Sequence, residues 1–195
     1  MRNHLSRKPG TLIASIALAA LAGCSTTVPR ESATKSANTP AATSTASEGT
    51  VNLASASASL VSGKLTLMPM GNGVHIIGSI GGLAPGSTHG FHIHEKGDCS
   101  AADASSAGGH FNPAGAAHGR SGSGAHHAGD IDNIVAGSDG VAEVNVHLTG
   151  VTLGGGAAND IAGKAFIVHA APDDYTSQPA GNAGARVACG VIQAR

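Results

Sequence analysis

Apolar and polar residues alternate along several short stretches of the chain. Lys64-Leu65-Thr66-Leu67-Met68 alternates, and so does Thr88-His89-Gly90-Phe91-His92-Ile93-His94. Residues 74–80 are rich in β-branched side chains, and Val141-Ala142-Glu143-Val144-Asn145-Val146-His147-Leu148 repeats the alternation. A period of two sends successive side chains to opposite faces, so each stretch predicts a half-buried strand. Residues 165–169 form a short apolar run that reads as a strand buried on both faces, and 186–192 close the chain as a last strand. Gly71-Asn72-Gly73, Pro85-Gly86 and Ser138-Asp139-Gly140 are turn signals between them. No segment carries a convincing helical pattern. Short strands at turn-punctuated spacing predict an all-β sandwich or barrel. Segments 95–125 and 170–185 lack strand pattern, and long structureless loops in a compact domain are usually functional.

The first residues read as an address. Arg2, Arg7 and Lys8 precede an apolar run at 11–22 that is too short to span a bilayer. It ends in Leu21-Ala22-Gly23-Cys24, which resembles a bacterial lipobox. The reading is a lipoprotein signal peptide at 1–23, with Cys24 lipidated as the mature N-terminus. Several acyl chains at about 0.8 kcal/mol per buried CH₂ would hold the protein on a membrane. Ser25 after the cysteine points to the outer membrane, and so to the bacterial periplasm. Residues 25–48 are mostly Ser, Thr, Ala, Asn and Pro, so 24–48 reads as lipid anchor and flexible tether. The folded domain is then 49–195.

Composition sharpens this picture. Lys+Arg total 11 against 12 Asp+Glu, a balance that argues against nucleic-acid binding. The 29 glycines show no three-residue repeat and fit many tight turns. Apart from Cys24 there are two cysteines, Cys99 and Cys189, and in an oxidising compartment they default to a disulfide.

Eleven histidines among so few charged residues point to metal. His92 and His94 are two apart on a predicted strand, so both rings share one face, about 6–7 Å apart at the backbone. His110, His118, His127 and Asp130 follow in the first long segment, and His169 ends its own strand. Imidazole suits copper and zinc, and carboxylate is acceptable to zinc.

Gly90-Phe91-His92-Ile93-His94-Glu95, Gly109-His110-Phe111-Asn112-Pro113 and the run Gly181-Asn182-Ala183-Gly184-Ala185-Arg186-Val187-Ala188-Cys189-Gly190 resemble motifs of bacterial copper/zinc superoxide dismutases. The resemblance covers about residues 55–195. It implies an all-β fold: an eight-stranded Greek-key β-barrel, an immunoglobulin-like sandwich with two long functional loops. It implies one copper per subunit, on His92, His94, His110 and His169. It implies one zinc per subunit, on His110, His118, His127 and Asp130, with His110 bridging the metals. Asp173 matches the aspartate that hydrogen-bonds ligands of both metals, and Cys99 and Cys189 match the family disulfide. Arg186 matches the active-site arginine, which with His110 is the implied catalytic pair. The implied reaction is dismutation of superoxide to O₂ and H₂O₂ by alternate reduction and oxidation of copper.

The family spacing favours His127 over its neighbour His126. His75 and His147 fall outside every motif and read as solvated strand residues, and His89 as structural. A zinc hydrolase would need an open zinc position, whereas the implied zinc set is already four ligands. A silent metal-buffering module would tend to lack the bridge, a copper ligand or the arginine, and all are present. The second loop is shorter than in eukaryotic members and offers Tyr175, Ser177, Gln178 and Pro179 in place of their charged steering cluster. The motifs leave monomer and homodimer both open.

Overall fold

In a computed structural model, residues 42–195 are described. The signal segment 1–23, Cys24 and the tether up to residue 41 lie outside the described residues. Nine strands follow one another: β1 Gly49–Ser55, β2 Ser62–Met70, β3 Gly73–Gly81, β4 Thr88–His94, β5 Asp130–Val135, β6 Ala142–Thr149, β7 Ala165–His169, β8 Arg186–Val191 and the two-residue β9 Gln193–Ala194. The one helical element among the described residues is a 3₁₀ turn, Ser105–Ala107.

The strands pair in the order β5-β4-β7-β8-β1-β2-β3-β6, with β9 on β1. Every pairing is antiparallel. β5 and β6 are the two ends of this path and lie against each other without a ladder, so eight strands make a nearly closed barrel. The β3–β4 and β6–β7 connections cross to non-neighbouring strands, the Greek-key feature the resemblance implies.

Alternation decides which side chains fill the barrel. Leu65 and Leu67 of β2, Val74, Ile76 and Ile80 of β3, and Val144 and Leu148 of β6 point inward. From β4 and β7 come Phe91, Ile93, Phe166 and Val168, and the two phenylalanine rings stack with centroids 4.9 Å apart. Each such side chain contributes about 1.5–3 kcal/mol by leaving water.

The other face of β7 and β8 is covered too. Ala165, Ile167 and Cys189 pack there against Ala104 and Ala107 of the first loop. This second small core explains the continuous apolar run at 165–169, and it turns residues 95–129 into a fixed cover. The Cys99–Cys189 disulfide clamps the cover to β8 across 90 residues of chain. A loop of that length corresponds to about 4–5 kcal/mol in the chain-entropy picture.

The folded body begins earlier than composition suggests. The Leu153 carbonyl accepts from Thr45 N at 3.2 Å and Ala46 N at 3.1 Å, and Ser44 Oγ accepts from Leu153 N at 2.9 Å. Ser47 N donates to Arg195 O, and Arg195 N donates to Glu48 O, both at 2.9 Å. Backbone pairing needs no large apolar side chain, so a segment poor in them can still dock.

Candidate metal centre

On β4 the core-facing residues are Phe91 and Ile93, so His92 and His94 emerge on the opposite side, under the loops. The chain returns to that spot at His110, which forms an isolated antiparallel bridge with His94. Glu95 N donates to Gly109 O at 2.9 Å, and Phe111 N donates to Ile93 O at 2.8 Å. His169, the last residue of β7, completes the set. Register shifts at His89/Phe91 on β4 and at Val168/His169 on β7 interrupt the ladders beside these histidines.

His92, His94, His110 and His169 are buried, and each offers a ring nitrogen within 4.8 Å of the others. Hydrogen bonds fix their tautomers. His92 Nε2 donates to Asp173 Oδ2 at 2.8 Å, His94 Nδ1 to Gly108 O at 2.9 Å and His169 Nδ1 to Gly184 O at 3.2 Å. This leaves His92 Nδ1, His94 Nε2, His110 Nε2 and His169 Nε2 buried without a partner. Orphaned buried polar atoms are costly, and four converging lone pairs are what a bound cation satisfies.

His110, His118, His127 and Asp130 form a second buried set with the same convergence. Asp130 Oδ1 lies 2.7 Å from His110 Nδ1 and 3.2 Å from His127 Nδ1, and its Oδ2 lies 3.1 Å from His118 Nδ1. His127 Nδ1 and His110 Nδ1 are 3.3 Å apart. A tetrahedral ion with bonds of about 2.0 Å needs ligand atoms about 3.3 Å apart, so this set fits zinc. Burial alone would raise the Asp130 carboxyl. Hydrogen bonds from His110 and from the backbone N–H groups of His127 and Gly119 outweigh it and hold the group well below the carboxylate range.

The two sets are joined twice. His110 belongs to both, through Nε2 to one and Nδ1 to the other. Asp173 accepts from His92 Nε2 with one oxygen and from His118 Nε2, at 2.9 Å, with the other.

Comparison with known proteins decides the family. The model described as copper/zinc superoxide dismutase matches residues 61–192. The chain belongs to the copper/zinc superoxide dismutase family. It is 45% identical over 136 residues to superoxide dismutase [Cu-Zn] 2 of Aquifex aeolicus, covering 68% of this chain and 80% of that one. It is 47% identical over 139 residues to superoxide dismutase [Cu-Zn] 2 of Mesembryanthemum crystallinum, covering 68% of this chain and 86% of that one. Among solved structures, a SOD-like protein from Bacillus subtilis superposes with TM-score 0.66 at 39% identity, over 72% of this chain and 95% of that one.

Within this superoxide dismutase fold the structure places the other singled-out residues as follows. Arg186 stands directly opposite His169 in the β7–β8 register. Its guanidinium donates to Ala104 O at 2.7 Å and to Gly108 O at 2.6 Å, so it shares the Gly108 carbonyl with His94. His126 is half-buried, hydrogen-bonds Gly124 O and belongs to neither set. His89 bridges Ser87 Oγ and the His169 carbonyl, a structural role. Asp174 caps its own loop through Thr176 and Ser177.

Two further roles escaped the sequence reading. Asn133 of β5 holds the Asp173 backbone from both sides, accepting from its N–H at 2.8 Å and donating to its carbonyl at 2.9 Å. Gln178 does the same for His118, accepting from its N–H at 2.8 Å and donating to its carbonyl at 3.0 Å. β5 also holds Asp130 and Asp132, so nothing in the sequence singles Asn133 out. Gln178 offers no signal either.

Burial pushes His94 down to about 2 and His169 to about 3 from the ordinary 6.5, and lowers His92 as well. These rings are therefore neutral at pH 7, as metal ligation requires. Below pH 6.5 the unfolded metal-free chain binds protons that the folded chain refuses. Stability is therefore complete above the unfolded pKa and is lost as pH falls towards 3. Each refused proton is worth about 1.4 kcal/mol per pH unit. Urea midpoints of the metal-free protein should fall steeply between pH 6.5 and 4. A flat profile would refute buried, neutral ligands.

Proposed function

We propose that this chain dismutates superoxide to O₂ and H₂O₂ with copper on His92, His94, His110 and His169 and zinc on His110, His118, His127 and Asp130. The observation that carries the reading is the shared imidazole: two four-ligand sets converge on one ring, and the copper set leaves four unpartnered nitrogens. When bound, copper supplies the one-electron chemistry that converts two superoxide anions and two protons to O₂ and H₂O₂, while zinc is redox-inert.

The chain's own residues do the rest. His94 and His169 keep their Nδ1 protons on carbonyls, so their Nε2 lone pairs stay aimed inward. Asp173 orients His92 and His118 together, and such outer partners commonly change metal affinity 10–100-fold. His110 Nε2 can carry a proton whenever it is not a ligand, beside the reacting anion. Arg186 uses two N–H donors to fix its plane and has others free for an anion. Its guanidinium gives a fixed positive charge where a small anion must dock.

Arg186→Ala should lower kcat/KM for superoxide by roughly ten- to hundredfold, the worth of one charge-assisted hydrogen bond. Copper and zinc content should stay near one each. Loss of copper from this variant would contradict the docking role.

The reading extends to place. The basic start, the apolar run at 11–22 and Leu21-Ala22-Gly23-Cys24 support a lipoprotein of the bacterial periplasm, held by Cys24 on a membrane, with Ser25 favouring the outer one. Intact mass of the mature protein should show a chain beginning at Cys24 and carrying acyl groups. A free thiol at Cys24 would contradict the anchor.

A further inference from the structure

His75 and His147 lie outside both metal sets, yet they are not scattered surface residues. They face each other across the β3–β6 ladder. Met68 faces His75 across the β2–β3 ladder. The inward positions of these strands are Leu67, Ile76 and Leu148, so Met68, His75 and His147 form one row on the outer face of the barrel. Met70, 51% exposed, lies diagonal to His75. The chain has three methionines, Met1 included, so both internal ones sit beside this histidine pair.

The geometry suits a metal. The His75 and His147 ring centroids are 6.3 Å apart. The same 6.3 Å separates His110 and His169, two members of the copper set. His75 is half-buried, and its Nδ1 is shielded with no hydrogen-bond partner. Every other histidine nitrogen in that condition among the described residues belongs to the metal centre. Among the described residues, the only polar contact of the His147 side chain is a long one, 3.5 Å from Nε2 to Asn72 Oδ1. Among the described residues, no short hydrogen bond ties either ring to another partner.

We propose that Met68, His75 and His147 form a second metal site, on the barrel face away from the catalytic centre, and that it takes monovalent copper. Thioether sulfur is a soft ligand that selects Cu(I), and imidazole accepts copper as well. Two imidazoles and a thioether leave the ion accessible from solvent, the condition for a site that accepts and passes on copper rather than burying it.

The test uses protein already holding one copper and one zinc per chain. It is titrated anaerobically with Cu(I) against the chromophoric competitor bicinchoninate. One further equivalent of Cu(I) should bind, and the Met68 methyl and His75 ring proton signals should shift with it. His147→Ala and Met68→Leu should each weaken that equivalent by more than the roughly 10–100-fold typical of losing an outer-shell partner. Both residues lie on the outer face, so superoxide turnover and thermal unfolding should stay unchanged and show that the fold is intact. His126→Ala, a half-buried histidine outside all three sets, should change nothing. Absence of a further equivalent, unchanged affinity in the His147→Ala/Met68→Leu double variant, or equal affinity for Zn(II) would overturn the proposal.

Discussion

His110→Ala should empty both metal sites at once. The ring offers Nε2 to one four-ligand set and Nδ1 to the other, and no other residue is in both. Each set falls to three ligands, and the space left by the ring admits water beside them. Affinity for both ions should fall by more than the roughly 10–100-fold associated with losing an outer partner. Stability falls with it, because a ligand that binds only the folded chain stabilises it by RT ln(1 + [L]/Kd). Elemental analysis after dialysis should show both zinc and copper well below one per chain, with superoxide turnover lost. His169→Ala makes the contrast. It belongs to the copper set alone, so zinc should be retained. Full zinc occupancy in His110→Ala would mean that the ring is not shared.

Gly181→Ala should also weaken both sites, without replacing a ligand. Gly181 has φ +65°, and a Cβ there would overlap Asp173 Oδ1 and stand 2.7 Å from His118 Nε2. Asp173 cannot move without releasing His92 and His118 together, because its carboxylate holds one with each oxygen. Metal affinity should drop on the order of 10–100-fold. Gly163→Ala separates this from backbone strain. Gly163 has φ +71° with open space where its Cβ would go, so it carries the positive-φ penalty of about 1–2 kcal/mol alone. Gly181→Ala should therefore release zinc to a chelator far faster than Gly163→Ala. Equal rates would show that the Asp173 link does not hold the metals.

How legible each part was in the sequence follows from what chemistry or packing demanded. Metal ligation demands particular residue types, so the histidine-rich cluster and Asp130 stand out in the sequence, and the family motifs divide them into the two candidate sets. β2, β3 and β6 are visible because one face meets the core and the other meets water. β1 and β5 are not. Thr50-Val51-Asn52-Leu53 does alternate in β1, but the run is short and flanked by small Ser and Ala residues, and in β5 Asp130 and Asn133 are polar because they serve the site rather than the barrel. The docking of 44–48 and the Gln178 clamp on His118 rest on backbone hydrogen bonds, which leave no periodic trace. His75 reads as a solvated strand residue from sequence, but the structure leaves it half-buried with an unpartnered nitrogen, because the cross-strand register brings Met68 and His147 beside it.

The most direct test of the central claim is one sample of mature protein, measured twice: metal content by elemental analysis and superoxide disappearance by direct spectrophotometry. The shared-imidazole centre predicts one copper and one zinc per chain with fast turnover that disappears when copper is removed. Full loading with both metals and no turnover would contradict it, and would make the chain a metal-holding member of its family.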